Sequence, residues 1–289
     1  MPCRRDFLKM TCLGTVLVAM PVGVREAVSQ EQTAQELLAA MPKPLIPRVV
    51  GHRGHSAIQP ENTIPAVRQC IQTGANGCEC DLQWTKDGKI VLFHDSKTDS
   101  KVRDADGNRV KGEIADYDFE TLRSFDVGIW KGEAFRGTRI ATLDEYLDAL
   151  KDSPCIPVIE LKKPGLEEQV VAAVRARGLE RRCVFISASR KIRELCPEIT
   201  TAVLLGSCPD VPDGELADFI EKAVLRGNTN MIDIEHSRMT PELAKELKRR
   251  GIFIMVWTVK HDPQRLAELY AMGVDSITTD YPDEALAAK

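Results

Sequence analysis

From residue 48 onward, short apolar runs of strand length alternate with helical stretches, and nothing else in the chain constrains its fold as tightly. The strand candidates are Arg48–His52, Gly77–Gln83, Lys89–His94, Ile156–Lys162, Cys183–Ser187, Thr201–Leu205, Met231–Glu235, Phe253–Val259 and Asp275–Thr279. Helices are predicted over Thr63–Thr73, Leu166–Arg177, Gly214–Leu225, Pro241–Arg250 and Pro263–Met272. The first is capped by Asn62 or Thr63 with Pro65 in its first turn, and Gly178, Gly251 and Gly273 stop three of the others. Strand–helix alternation implies a parallel sheet covered by helices, and the strands are apolar enough to be buried on both faces. A chain of 289 residues suits one (β/α) barrel of roughly 250 residues with a leader, or two smaller domains. Nine candidates exceed an eight-stranded barrel by one. Asp87-Gly88 leaves room only for a turn between the second and third, so one of the nine can lie outside the barrel.

Residues 1–30 read as an export signal. Arg4-Arg5-Asp6-Phe7-Leu8-Lys9 is a basic head, and the apolar run Met10–Val24 is shorter than a membrane span of about 20 residues. The Arg-Arg-x-Phe-Leu-Lys order resembles a twin-arginine signal, which places the mature protein in the periplasm or outside the cell, without a stable membrane span. Residues 31–46 are expected to be a linker, and 47–289 the barrel. The formal net charge is −4 and no basic stripe appears, which argues against nucleic acid as a partner. Of nine cysteines two lie in the leader; the other seven cannot all pair within the chain, and most read as free core residues.

Residues 96–141 break the rhythm. They are polar, rich in Asp, Lys, Gly and Arg, yet hold Phe119, Phe125, Trp130 and Phe135. An insertion of this length after the third strand is expected to be a cap whose aromatics pack on the barrel mouth and shape one side of a pocket there.

The chemistry-bearing residues fall at strand ends, where barrel enzymes keep their active sites. They are His52 and Arg53 after the first strand, Glu79 and Asp81 on the second, His94 after the third, and Glu160 and Lys162 on the fourth. Residues two apart on a strand share a face, so Glu79 joins Asp81 and Glu160 joins Lys162. Three carboxylates facing the barrel interior need a cation, and an all-oxygen set suits a hard ion such as Mg²⁺ or Ca²⁺. A salt-bridged edge strand is the competing reading of Glu79 and Asp81. A hydrogen-bonded core histidine is the competing reading of His52 and His94. His55, His236 and His261 are expected in loops or at the surface.

His52-Arg53-Gly54, Pro60-Glu61-Asn62-Thr63, Glu79-x-Asp81, Thr85-Lys-Asp-Gly88, His94-Asp95, Glu160-x-Lys162, Trp257-Thr258-Val259 and Thr279-Asp280-x-Pro282, in that order, resemble the motif series of the glycerophosphodiester phosphodiesterase family. The resemblance spans about residues 49–283. It implies a (β/α)8 TIM barrel in the α/β class with a capping insertion. It also implies metal ligation by Glu79, Asp81 and Glu160, general acid and base roles for His52 and His94, phosphate contacts from Arg53 and Lys162, and a pocket lined by Trp257. Glu61 and Asn62 are expected to support these groups. The implied reaction is metal-dependent hydrolysis of a small-molecule glycerophosphodiester to glycerol phosphate and an alcohol. The attacker is either water or a neighbouring substrate hydroxyl that first closes a cyclic phosphate. Cleavage of lysophospholipids on the same barrel, and an exported phosphate- or metal-binding protein without turnover, are the alternatives. Glycoside hydrolysis fits poorly, because two histidines, an arginine and a lysine accompany the carboxylates. Two stretches depart from the family pattern: Ser96-Lys-Thr-Asp-Ser-Lys101, where many members carry threonine and arginine, and Ser187-Ala188-Ser189, where many carry Ser-Phe.

Overall fold

The computed structural model describes residues 33–208 and 210–288, so the leader expected over 1–30 lies outside the described residues. Among the described residues, ten strands form one sheet: β1 (Val49–Gly51), β2 (Gly77–Trp84), β3 (Ile90–Leu92), β4 (Ile156–Leu161), β5 (Val184–Phe185), β6 (Thr200–Thr201), β7 (Val203–Leu205), β8 (Met231–Glu235), β9 (Phe253–Val259) and β10 (Ser276–Thr279). All neighbours along the path β6-β5-β4-β2-β1-β10-β9-β8-β7 pair in parallel. First and last strands meet with Val49 opposite Ile277. The two ends of the path, β6 and β7, are one chain segment interrupted at Ala202, whose N–H still bonds the Phe185 carbonyl at 2.7 Å. Counting β6 and β7 as one interrupted strand, eight strands circle the barrel. β3 is the surplus strand. It pairs antiparallel with β2, Leu82 opposite Leu92, and lies off the ring.

The helices follow the expected signals. Residues 33–40 form α1, so the segment expected to be a linker carries a helix, and its Leu38 is buried in the core. In α2 (Ile64–Thr73), Thr63 caps the Ala66 N–H and Pro65 stands in the first turn. Short helices α3 (Phe119–Ser124) and α6 (Ser189–Leu195) lie in the insertion and after β5, and the outer helices α4 (Leu143–Leu150), α5 (Glu167–Arg175), α7 (Asp213–Gly227), α8 (Pro241–Arg249) and α9 (Pro263–Ala271) bury one face each on the sheet.

Alternation divides each strand between two cores. Outward-facing Cys78, Cys80 and Leu82 of β2 pack with Leu143, Tyr146 and Leu147 of α4. Inward-facing Val50, Val158, Val184, Ala202, Met231 and Met255 form an apolar plug in the barrel. The seven cysteines among the described residues are all free, and six are buried.

The insertion 96–141 departs from expectation. It has its own small core of Val102, Val110, Ile114, Leu122, Val127 and Ile140, built on Val91 and Phe93 of the β3 region. Phe119 and Phe125 pack into that core, where Phe125 meets Tyr117 edge-on at 5.9 Å, instead of resting on the barrel mouth. The aliphatics spread among the polar residues supply what the aromatics alone could not.

Candidate active site

Above the apolar plug, side chains at the C-terminal ends of the strands enclose a cavity of about 120 Å³. His52, Arg53, Glu79, His94, Glu160, Lys162 and Trp257 all line it. Asp81, two residues past Glu79 on β2 and in register with Glu160, is buried, with a carboxylate oxygen in mutual reach of one from Glu79 and one from Glu160, all within 4.8 Å. The structure thus brings together all eight residues singled out in the sequence.

The local backbone explains the placement. After β1 the chain turns through Arg53 (φ 54°) and Gly54 (φ 87°), both in the left-handed region. A Cβ on Gly54 would meet the Ala66 backbone at 2.6 Å, so this turn can press against α2 only with glycine there. The strained Arg53 is held at both ends: its N–H donates to Glu79 Oε2 at 2.8 Å and its carbonyl accepts from Asn62 N–H at 3.0 Å. Asn62 grips Asp81 twice, donating Nδ2–H to Oδ2 at 2.8 Å and accepting the Asp81 N–H at 3.1 Å.

Both cations of the cavity are set among carboxylates. Arg53 Nη1 donates to Glu61 at 2.7 Å, and its Nε lies 3.1 Å from Asp81 Oδ2. Lys162 Nζ lies 2.6 Å from Glu160 and 3.6 Å from Asp81 Oδ1. Burial, then the negative charges of Asp81 and Glu160, push the Glu79 carboxyl well above its ordinary range. Burial acts the same way on Asp81, but Arg53 and Lys162 outweigh it and hold that group below its usual value. Burial and Asp81 raise Glu160 despite Lys162 beside it. Three carboxylates thus share two cations in a site largely screened from water. That imbalance, together with the oxygen-only donor set, fits a hard divalent cation.

Each histidine is backed by a carboxylate. His52 Nδ1 lies 2.6 Å from Asp280 Oδ1, which also accepts from Ser56 Oγ at 2.8 Å. Burial raises Asp280, but the bond to His52 dominates and keeps it ionised below its usual range. An ionised carboxylate only accepts, so it places the proton on Nδ1 and leaves Nε2 for the substrate. His94 Nδ1 faces Asp95 Oδ1 at 2.7 Å in the same way. Lys101 bridges Asp95 and Glu61 at 2.9 Å each, and Gln83 Nε2 donates to the carbonyls of Phe93, His94 and Asp95, pinning the His94 loop.

Several functional candidates escaped the sequence reading. Asp280 and Asp95 stood inside quoted motifs without a role. Lys101 and Gln83 carried no local signal. Asp233, inward-facing on β8, is fully buried, lines the cavity, and has no hydrogen-bond partner for either oxygen. Period-two placement among apolar residues, the test that marked Glu79 and Asp81, also marks Asp233. His55 lies in the loop after β1, as expected, but is buried there, 2% exposed, with Nε2 3.4 Å from Asp283. The departure at Ser187-Ala188-Ser189 borders a shallow groove of about 810 Å³ that starts at Glu160 and passes Ala188 to Phe219. No residue of 96–141 lines the catalytic cavity; Lys101 and Trp130 reach only a recess beside His94.

The model of the glycerophosphoryl diester phosphodiesterase family matches residues 52–284. A glycerophosphodiester phosphodiesterase of Caldanaerobacter subterraneus subsp. tengcongensis is 33% identical over 246 residues, covering 81% of this chain and 94% of that protein. Among solved structures, an Oleispira antarctica phosphodiesterase in complex with the product sn-glycerol-3-phosphate superposes with a TM-score of 0.71 at 26% identity, covering 84% of this chain and 96% of that one. A glycerophosphodiester phosphodiesterase of Agrobacterium tumefaciens gives a TM-score of 0.70 at 25% identity, covering 84% and 100%.

Proposed function

Since the chain belongs to the glycerophosphoryl diester phosphodiesterase family, we propose that it hydrolyses glycerophosphodiesters to glycerol phosphate and an alcohol, with one divalent cation, Mg²⁺ or Ca²⁺, held by Glu79, Asp81 and Glu160. The observation that carries this reading is the convergence of two carboxylate-backed histidines, two cations and three carboxylates on one small cavity. The cation would supply charge neutralisation at the phosphoryl oxygens.

The protein's own groups do the rest. Arg53 and Lys162 offset the phosphodiester's charge, and Arg53 is aimed by Glu61 and Asp81 before substrate arrives. One imidazole removes a proton from the attacking oxygen at its Nε2. The other donates a proton from its Nε2 to the departing alkoxide as the P–O bond breaks. Asp280 and Asp95 fix both ring orientations and stabilise whichever ring carries the extra proton.

Hydrolysis of glycerophosphocholine, with chelator and with Mg²⁺ or Ca²⁺ added back, tests the proposal. Metal-restored release of glycerol phosphate is the expected result. Full activity in a metal-free preparation would remove the cation, and no hydrolysis under any condition would remove the function. We further propose export through the N-terminal Arg4-Arg5 signal. The support here is sequence alone, and continued export of an Arg4→Lys, Arg5→Lys variant would reject the twin-arginine route.

A further inference from the structure

The floor of the catalytic cavity is built of hydrogen-bonding groups that have nothing to bond. Asp233 stands one inward-facing position above Met231 of the apolar plug. Its strand neighbours in register are Leu204 on β7 and Met255 on β9, which offer it no side-chain partner. Both its oxygens are buried and unpartnered. Two more cavity-lining atoms share that condition: Thr278 Oγ1 on β10 and Trp257 Nε1 on β9. A buried polar atom without a partner is destabilising, so several lining one small space call for a ligand that satisfies them. Asp233 and Thr278 can accept, while Thr278 and Trp257 can donate.

The ligand chemistry follows from the shape. A phosphodiester has two ester arms. One side of the site is the partly open cavity of about 120 Å³, whose catalytic groups leave room above the floor for a group of only a few heavy atoms. The other is the open groove past Ala188, which sets no such limit. The small polar arm therefore goes down and the variable arm goes out. Glycerol has the size and the two free hydroxyls that a floor of acceptors and donors can bond.

Resting on the hydrolysis proposed above, we infer that Asp233 is a specificity-determining residue: with Thr278 and Trp257 it binds the free hydroxyls of the glycerol arm and so selects diol-bearing phosphodiesters over their deoxy analogues. The segment reading the glycerol arm is then the barrel floor. The insertion 96–141, which contributes nothing to the cavity lining, has no part in it.

The test compares glycerophosphocholine with propylphosphocholine, which lacks both hydroxyls, in wild type and in Asp233→Leu, Asp233→Asn and Thr278→Val. Wild type should favour the diol in kcat/KM by at least about 100-fold, because losing two hydroxyls strands the floor groups. Asp233→Leu should shrink that ratio by about 10–100-fold, with Asp233→Asn and Thr278→Val giving smaller reductions. Calorimetric binding of sn-glycerol 3-phosphate should weaken in parallel, while inorganic phosphate should bind each folded variant as it binds wild type. An unchanged ratio in Asp233→Leu, or equal losses on both substrates, would overturn the inference. If Asp233→Leu does not fold, an unchanged ratio in both Asp233→Asn and Thr278→Val overturns it. Failure of wild type to cleave either substrate would instead reject the phosphodiesterase reading, so the two failures are distinguishable.

Discussion

Replacing Asp280 by asparagine isolates how much of the reaction depends on the orientation of one imidazole. Asp280 Oδ1 meets His52 Nδ1 at 2.6 Å, and both side chains are about four-fifths buried, so solvent screens the contact only modestly. The amide would keep the shape and lose the charge. A hydrogen bond to a charged group is worth about 1.5–3 kcal/mol, and that stabilisation matters most when His52 carries the extra proton, so kcat should fall by about 10–150-fold. If the amide turns its NH2 toward the ring, it selects the wrong tautomer, and the loss should approach about 10⁴-fold. KM should change little, because Asp280 is not among the residues lining the cavity. Ser56→Ala serves as the control. It removes the other side-chain donor to the same oxygen and should cost far less. The assay is initial-rate hydrolysis of glycerophosphocholine across pH, with melting curves to confirm folding. A folded Asp280→Asn enzyme within about twofold of wild-type kcat, or a loss confined to KM, would refute the orienting role.

His94→Ala should lower turnover by about 10²–10⁴-fold while the melting temperature holds, measured by the same assay. Gly54→Ala forces a Cβ to 2.6 Å from the Ala66 backbone at φ 87°, so about 2–4 kcal/mol of stability should be lost and the melting temperature should fall by several degrees. Asp95 has a folded pKa of about 2, since burial is outweighed by His94 and Lys101. A depressed carboxyl stabilises the fold above its unfolded pKa, and the benefit fades as pH falls from about 4 toward 2. Thermal melts of Asp95→Asn should accordingly lie below wild type at about pH 5 and converge with it near about pH 2; a constant gap would contradict that assignment.

The barrel was legible because its signals are local. Strand runs, glycine stops and the Thr63 cap each depend on a few neighbouring residues, and β8 and β9 fall on their predicted bounds. The paired acids of β2 were legible for a related reason: period-two placement of charge on a buried strand has few explanations. What stayed hidden depends on distant parts of the chain meeting. Lys101 lies 40 residues from Glu61 in sequence, and only the path of the insertion brings them to 2.9 Å. His55 sits in a turn that looks exposed until Asp283, from the far end of the chain, folds over it. The interruption at Ala202, between β6 paired with β5 and β7 paired with β8, was invisible because Thr201–Leu205 is apolar after its first residue and reads as one strand.

From the insertion to the centre of the barrel, alternating charges run without a gap: Asp95 to Lys101, Lys101 to Glu61, Glu61 to Arg53, Arg53 to Asp81, Asp81 to Lys162 and Lys162 to Glu160. Each cation is shared by the carboxylates on either side of it, so the insertion is not a detachable part. Exchanging it for the corresponding segment of a relative would take Lys101 from both Glu61 and Asp95 unless the new segment returned a cation to the same point. Glu61, left with Arg53, would then hold it more tightly and draw it away from Asp81, inside the carboxylate triad. Divergence of this segment is therefore coupled to the barrel centre through charge balance, and chimaeras in this fold should be designed by conserving that balance before conserving length or shape.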